Sequence, residues 1–243
     1  LIVFRDHGNC LISNSIRMKS LIVESFLGVT LVGGGPVTTR DLRLALNRAP
    51  IAVGADSGAD RLLAAGIPPA AAIGDFDSIS DATRAALPLD RQHRIADQDT
   101  TDFDKALSRI AAPFVLALGF QGARIDHGLA VMNTLVRHST RRCLVLGPKD
   151  FAFAAPPRLT LRLRPGDPFS LFPLAPVTAT STGLHWPLDG IAFAPDGMIG
   201  TSNIVSAPEV RLTFANPGMI VILPRARLDA ALRSLAPDAP PAR

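Results

Sequence analysis

The chain of 243 residues changes its grammar once, at Gly147-Pro148. Before that point, short apolar runs alternate with stretches whose apolar residues recur at helical spacing. Val29–Val32, Ile51–Ala55, Ala70–Ile73, Phe114–Leu118 and Cys143–Leu146 read as strands. Helical stripes fall between them: from Thr38 with Asp41 as a capping box, from about Ala59 to Ala65, from Ser80, through Phe103, Ala106, Leu107 and Ile110, and through Leu129, Met132 and Leu135. Strand and helix in alternation predict a doubly wound, mostly parallel sheet in an α/β domain. After Pro148, β-type runs return at intervals of about 8–12 residues, punctuated by Pro and Gly, the pattern of an antiparallel sandwich or barrel, of which the sandwich is the expectation. No helical stripe reappears until Leu228–Leu235. The expected division is an N-terminal extension with little structure (1–27), an α/β domain (28–150) and an all-β sandwich domain (151–243) with a frayed, proline-rich end.

Composition narrows the class. Apolar residues make up 47% of the chain, as in a compact folded protein. No apolar run reaches the roughly 18 residues of a membrane span, and Arg5 and Asp6 interrupt the opening Leu1–Ser20, so neither a membrane partner nor a secretory signal is expected. Met18 is the expected start. Residues 1–110 carry 12 basic and 13 acidic side chains (net −1), and 111–243 carry 13 and 8 (net +5). The bases are nearly all Arg, scattered singly and without interleaved aromatics, so a nucleic-acid partner is not expected; an Arg surplus also suits small, phosphate-rich ligands. Cys10 and Cys143 match no metal or redox spacing, and a cytoplasmic setting is the default expectation.

The chemistry concentrates in Gly74–Leu107. Eight of the nineteen aspartates lie between Asp75 and Asp104, while both glutamates, Glu24 and Glu209, lie elsewhere. The spacings are tight: Asp75-x-Asp77, then Asp97-x-Asp99-x-x-Asp102-x-Asp104. Short carboxylates on turns suit a small hard cation, which takes oxygens at about 2.0–2.1 Å. Singly, each could equally be a helix cap or a solvated loop acid.

Position reinforces the cluster. Asp56 and the Asp75/Asp77 pair follow predicted strands, at the sheet edge where ligands of open α/β folds bind. Gly33-Gly34-Gly35 ends another strand and would let a phosphate approach backbone N–H groups. Arg124 stands in a glycine-rich turn before a helix. No GxxxxGK[ST] segment exists, which excludes a P-loop NTPase, and the protein-kinase segments are missing too.

Gly74-Asp75-Phe76-Asp77-Ser78-Ile79, Asp97-Gln98-Asp99-Thr100-Thr101-Asp102-Phe103 and Gly122-Ala123-Arg124-Ile125-Asp126-His127 resemble the signature segments of the thiamine pyrophosphokinase family. Ala55-Asp56-Ser57-Gly58-Ala59 is similar to its ADGGA turn. Thr182-Gly183-Leu184-His185-Trp186-Pro187-Leu188 and Gly200-Thr201-Ser202-Asn203 are similar to its thiamine-side motifs. The resemblance runs in order from about Leu31 to Leu223.

It implies transfer of the pyrophosphoryl group of ATP to thiamine, giving thiamine diphosphate and AMP, with a nucleotide-binding catalytic first domain and a thiamine-binding, dimerising second one. It further implies that Asp75, Asp77 and Asp102 hold Mg²⁺ with Asp56 nearby, that Gln98 and Thr101 contact the nucleotide, and that Arg124 steadies the transferred group. Trp186 would stack on thiamine and Ser202 would hydrogen-bond it. A homodimer with sites shared between chains is expected. Ser57 departs from the family glycine and would strain the turn if φ there were positive; Ala123 replaces another glycine. His127 beside Asp126 is open between a base and a structural role, and Asp126 between metal and Arg124. Two rivals remain at this level: a haloacid-dehalogenase-type phosphatase, from Asp75-x-Asp77, and an idle thiamine- or nucleotide-binding protein.

Overall fold

A computed structural model describes residues 20–122 and 124–239. Cys10, Met18, Ala123 and the last four residues lie outside them. In chain order the first half comprises β1 (Val23–Glu24), β2 (Val29–Val32), α1 (Thr39–Leu46), β3 (Ile51–Ala55), α2 (Gly58–Ala64), β4 (Ala71–Gly74), α3 (Asp81–Ala86), β5 (Gln92–Arg94), α4 (Asp102–Leu107), β6 (Ile110–Ala111), β7 (Val115–Leu118), α5 (Ile125–Arg137) and β8 (Cys143–Leu146). The second half adds β9 (Asp150–Ala154), β10 (Arg158–Arg162), β11 (Pro168–Pro173), β12 (Val177–Thr182), β13 (Ala192–Phe193), β14 (Gly200–Ile204), β15 (Glu209–Phe214), β16 (Met219–Pro224) and α6 (Leu228–Leu235).

The parallel part of the main sheet has the order β5-β4-β3-β2-β7-β8. The chain steps outward from β2 to β5, then returns to β7 on the other flank of β2. That reversal opens a crevice beyond the carboxyl ends of β2 and β7. Strands β2, β4, β7 and β8 are buried at every position, because helices cover both faces. Leu42 and Ala45 of α1 and Leu62 of α2 pack with Val32, Leu116 and Leu144. Phe103 and Leu107 of α4 and Val131 and Leu135 of α5 pack with Leu31, Val53 and Val145 on the opposite face. Side chains alternate across a strand, so each strand feeds both cores.

The expected boundary at 150/151 marks no break in the sheet. A tight turn closed by Gly147 N–H to the Asp150 carbonyl (2.9 Å) sends the chain back as β9, antiparallel to β8. The sheet then continues through β16, β11 and β14 to ten strands. A second sheet, β10-β15-β12-β13, lies against this extension. Its strands bury alternate residues, and Leu159, Leu161, Val210 and Leu212 meet Phe153, Phe169 and Val221 in one core, the sandwich expected from the sequence.

The extension also needs correction where it is described. Val23, 8% exposed, pairs with Ile110 as β1 joins β6 in a small parallel sheet, so residues 20–27 are not unstructured. At the other end, Ala236 is buried against the sandwich. No described helix is long and apolar enough to cross a membrane.

Gly58, the first residue of α2, lies so near β2 that an added Cβ would stand 1.8 Å from the Val32 carbonyl oxygen. Ala favours a helix over Gly by about 1 kcal/mol, but forcing backbone apart costs about 3 kcal/mol. Gly58→Ala is therefore expected to destabilise the protein by about 2 kcal/mol net, read as a lower urea midpoint. An unchanged midpoint would contradict this packing.

Candidate active site

A cleft of about 450 Å³ opens at the sheet reversal. Its floor is glycine. Gly33 N–H bonds the Leu118 carbonyl and Gly35 N–H bonds the Gly119 carbonyl, both at 2.8 Å, and a Cβ on Gly35 would come within 2.6 Å of the Gly119 oxygen. These glycines let the loops after β2 and β7 touch. Two of the three amides expected to face a phosphate are thus engaged with the neighbouring loop.

Asp56 follows β3 on the cleft wall. It is 3% exposed and has φ of 48°, a conformation that a non-glycine side chain holds only where its surroundings enforce it. Its N–H bonds the Ile73 carbonyl (3.0 Å), and its Oδ2 accepts from the Ser78 N–H (3.1 Å) and the Ser78 hydroxyl. Oδ1 is buried and has no hydrogen-bond partner among the described residues. Ser57, by contrast, takes a right-handed helical conformation (φ −60°), so the positive φ feared there falls one residue earlier, on Asp56.

Asp75, after β4, and Asp102, opening α4, complete the group: one oxygen from each of Asp56, Asp75 and Asp102 lies within 4.8 Å of the others. Asp77, expected in this set, is not of it. Phe76 at φ 67° turns the chain, Asp77 is exposed, and its N–H donates to Asp75 Oδ1 at 3.2 Å. The carboxylate trio expected of Asp75, Asp77 and Asp102 is instead made with Asp56.

Lys105, one turn into α4, balances the acids and was passed over in the sequence. Its side chain is 2% exposed, and Nζ lies 2.5 Å from Asp75 Oδ2 and 3.3 Å from Asp102 Oδ1. Burial alone raises the Asp75 carboxyl, but the Lys105 hydrogen bond leaves it below the ordinary carboxylate value. Asp102 goes the other way: burial raises it, Lys105 opposes, and the charges of Asp75 and Asp56 raise it further. Burial lowers the Lys105 ammonium, and its two aspartates more than reverse that. The available signal was the i, i+3 step from Asp102 to Lys105 in a chain with only Lys19, Lys105 and Lys149.

The remaining residues separate into rim and elsewhere. Thr101 caps α4, its hydroxyl accepting the Asp104 N–H at 3.3 Å, and lines the cleft with Thr100. Arg124 and His127 also line it. The Arg124 guanidinium donates to both oxygens of Asp126 (3.0 and 2.5 Å), which depresses the Asp126 carboxyl. Gln98 is exposed and outside the cleft lining, and Asp97 accepts the Asp99 N–H (2.9 Å) and the Thr100 hydroxyl (2.8 Å) within its own turn. Asp104, read as solvated or supporting, is 1% exposed and paired with Arg137 (2.8 Å) and His138 (3.1 Å) of the α5 end. Trp186, 53% exposed, and Ser202, at φ 65°, belong to the sandwich and line no part of this cleft.

Removing the buried cation leaves like charges unbalanced, so Lys105→Met is expected to cost about 3 kcal/mol. The loss should be larger at pH 8 than at pH 5. A carboxyl raised by folding binds its proton more tightly in the folded protein, so stability falls as pH rises through its folded pKa, and Asp102 is such a group. Thermal melts at the two pH values check this; an equal or smaller loss at pH 8 would contradict the role of Lys105.

Residues 42–146 match the family model described as "Thiamin pyrophosphokinase, catalytic domain", and residues 158–219 match "Thiamin pyrophosphokinase, vitamin B1 binding domain". The chain is 33% identical over 162 residues to thiamine pyrophosphokinase 1 of Oryza sativa subsp. japonica, a match spanning 58% of this chain and 60% of that protein. It is 29% identical over 213 residues to thiamine pyrophosphokinase 3 of the same plant, spanning 72% and 78%. The crystal structure of thiamine pyrophosphokinase from Bacillus subtilis superposes with a TM-score of 0.65 at 23% identity, over 81% of this chain and 98% of that one, which shows a shared fold. With both domain models matched in order across most of its length, the chain belongs to the thiamin pyrophosphokinase family.

Proposed function

We propose that this protein transfers the pyrophosphoryl group of ATP to the hydroxyethyl arm of thiamine, giving thiamine diphosphate and AMP. The observation that carries the reading is the meeting of Asp56, Asp75 and Asp102 within 4.8 Å at the glycine-floored reversal of the sheet, in a chain of this family.

The donor set fits Mg²⁺. It is all oxygen, as a hard cation requires, and among the described residues the buried Asp56 Oδ1 has no hydrogen-bond partner that would otherwise occupy it. Asp56, Asp75 and Asp102 would hold the ion, and Asp77, on the same turn as Asp75, is a fourth candidate. Mg²⁺, when bound, supplies charge neutralisation on phosphate oxygens.

The chain's own residues do the rest by positioning. Lys105 offsets one of the three negative charges and fixes the directions of Asp75 and Asp102. The glycine floor admits the phosphates where a side chain would block them. Arg124, held on the rim by Asp126, would steady the transferred group, with Thr101 and Gln98 toward the nucleotide. The thiamine hydroxyl oxygen then forms a bond to the β-phosphorus as the bond from that phosphorus to the bridging oxygen of AMP breaks, and the hydroxyl proton passes to solvent.

Trp186 and Ser202 lie inside the match to the vitamin B1 binding model yet outside the acid cleft. That separation supports a site completed by the sandwich of a second copy, in a homodimer.

Incubation with thiamine, ATP and Mg²⁺, followed by chromatography, is expected to yield AMP and thiamine diphosphate in equal amounts. Asp102→Asn should lower turnover by about 100-fold or more with the fold intact. Phosphate release without AMP, or near-normal turnover in Asp102→Asn, would overturn the proposal. A loss of the same size in Asp77→Asn would add Asp77 to the ion's ligands.

A further inference from the structure

We infer that Asn203 is a positioning residue that holds Trp186 in place for the substrate's rings. The inference rests on the reading of Trp186 as the thiamine-stacking residue given above.

The segment around Trp186 is neither helix nor strand. It leaves β12 through Gly183, at φ 82°, and reaches β13 past Gly190, at φ 77°. Leu184 and Leu188 anchor it in the sandwich core, at 6% and 2% exposed, while the indole between them is 53% exposed. A segment pinned on both sides of a large, exposed aromatic face presents that face instead of burying it.

The main-chain groups of Trp186 lie outside any strand ladder, and one side chain satisfies both. Asn203 Oδ1 accepts the Trp186 N–H at 3.2 Å, and its Nδ2 donates to the Trp186 carbonyl at 2.7 Å. A carboxamide offers an acceptor and a donor at that separation without a change of protonation state. Asn203 is itself fixed, 5% exposed, with Oδ1 also accepting the Ile204 N–H at 2.8 Å. Its neighbour Ser202, at φ 65°, bonds through its N–H to the Ser170 hydroxyl at 3.0 Å, which secures the irregular stretch of β14 that presents Asn203.

Two further contacts limit the indole. His185 N–H bonds the Ile204 carbonyl at 2.8 Å, and the His185 ring meets the Trp186 ring edge-on, with centroids 4.5 Å apart and planes at 83°. The open face is left for a flat, cationic partner, and a face held still before binding loses less freedom on binding.

The chain offers its own reporter, since Trp186 is its only tryptophan and it has no tyrosine. The experiment compares wild type, Asn203→Ala and Asn203→Asp by tryptophan emission and anisotropy without ligand, by quenching with thiamine, and by steady-state kinetics. Asn203→Asp keeps the acceptor and the shape and, when ionised, loses the donor, so assayed at alkaline pH it remains informative if Asn203→Ala folds poorly. Lower anisotropy is expected in both variants, with KM for thiamine raised about fivefold to tenfold and KM for ATP and kcat little changed. Wild-type anisotropy and thiamine KM in both folded variants would overturn the inference, as would an equal rise in KM for thiamine and ATP. A wild-type emission indifferent to saturating thiamine, with variant anisotropy still lowered, would leave the backbone latch standing and overturn Trp186 as the thiamine contact.

Discussion

Three carboxylates confined to one small volume are the constraint on which this structure turns. Two unit charges 4.8 Å apart repel by about 3.5 kcal/mol at an effective dielectric near 20. The acids lie no farther apart than that, so their repulsion is at least of this order, and Lys105, at 2.5 and 3.3 Å from two of them, is the charge that offsets it. Asp102 is 37% exposed, and water there reduces both terms. The acids are held together by covalent geometry as much as by charge: each closes or opens an element of the sheet's carboxyl edge. Asp56 follows β3, Asp75 follows β4, and Asp102 begins α4.

The sheet order explains why those ends converge. Because β2 lies between β3 and β7, the loops after β2 and β7 meet at the reversal, and only glycine lets them meet closely enough to form a floor. Helix α4 then crosses from that edge with nearly every side chain buried, Lys105 included. Its far side is tied to α5 through Asp104, Arg137 and His138, so the helix that carries Asp102 and Lys105 is braced from behind. The sandwich continues the same sheet, and Trp186 and Ser202 lie apart from the cleft of their own chain.

Much of this was legible because it is local. Thr38 with Asp41, and Ser80, cap the helices expected of them, and Leu228–Leu235 is helical as its stripe predicts. The two acid clusters stood out because aspartate without glutamate is an uneven way to solvate a surface. What escaped was non-local. Lys105 on a short helix reads as a solvated base until the fold puts two aspartates beside it. Asp77 reads as a partner of Asp75 by spacing, but the chain turns at Phe76, φ 67°, and it is Asp56 that joins Asp75 and Asp102. β5, with the polar sequence Gln92–Arg94, carries no apolar pattern and exists because β4 offers it an edge. The continuity of the sheet through Gly147–Lys149 was hidden because a hairpin between two domain-like patterns looks like a boundary in sequence.

The central claim is that the carboxylates of Asp56, Asp75 and Asp102 form one divalent-cation site at the mouth of the nucleotide cleft. Anomalous scattering from crystals grown with Mn²⁺ and a non-hydrolysable ATP analogue tests it most directly. The account predicts a manganese peak bound by Asp102 together with at least one of the other two. A nucleotide seated in the cleft with no metal at these carboxylates, or with the metal held elsewhere, would contradict it.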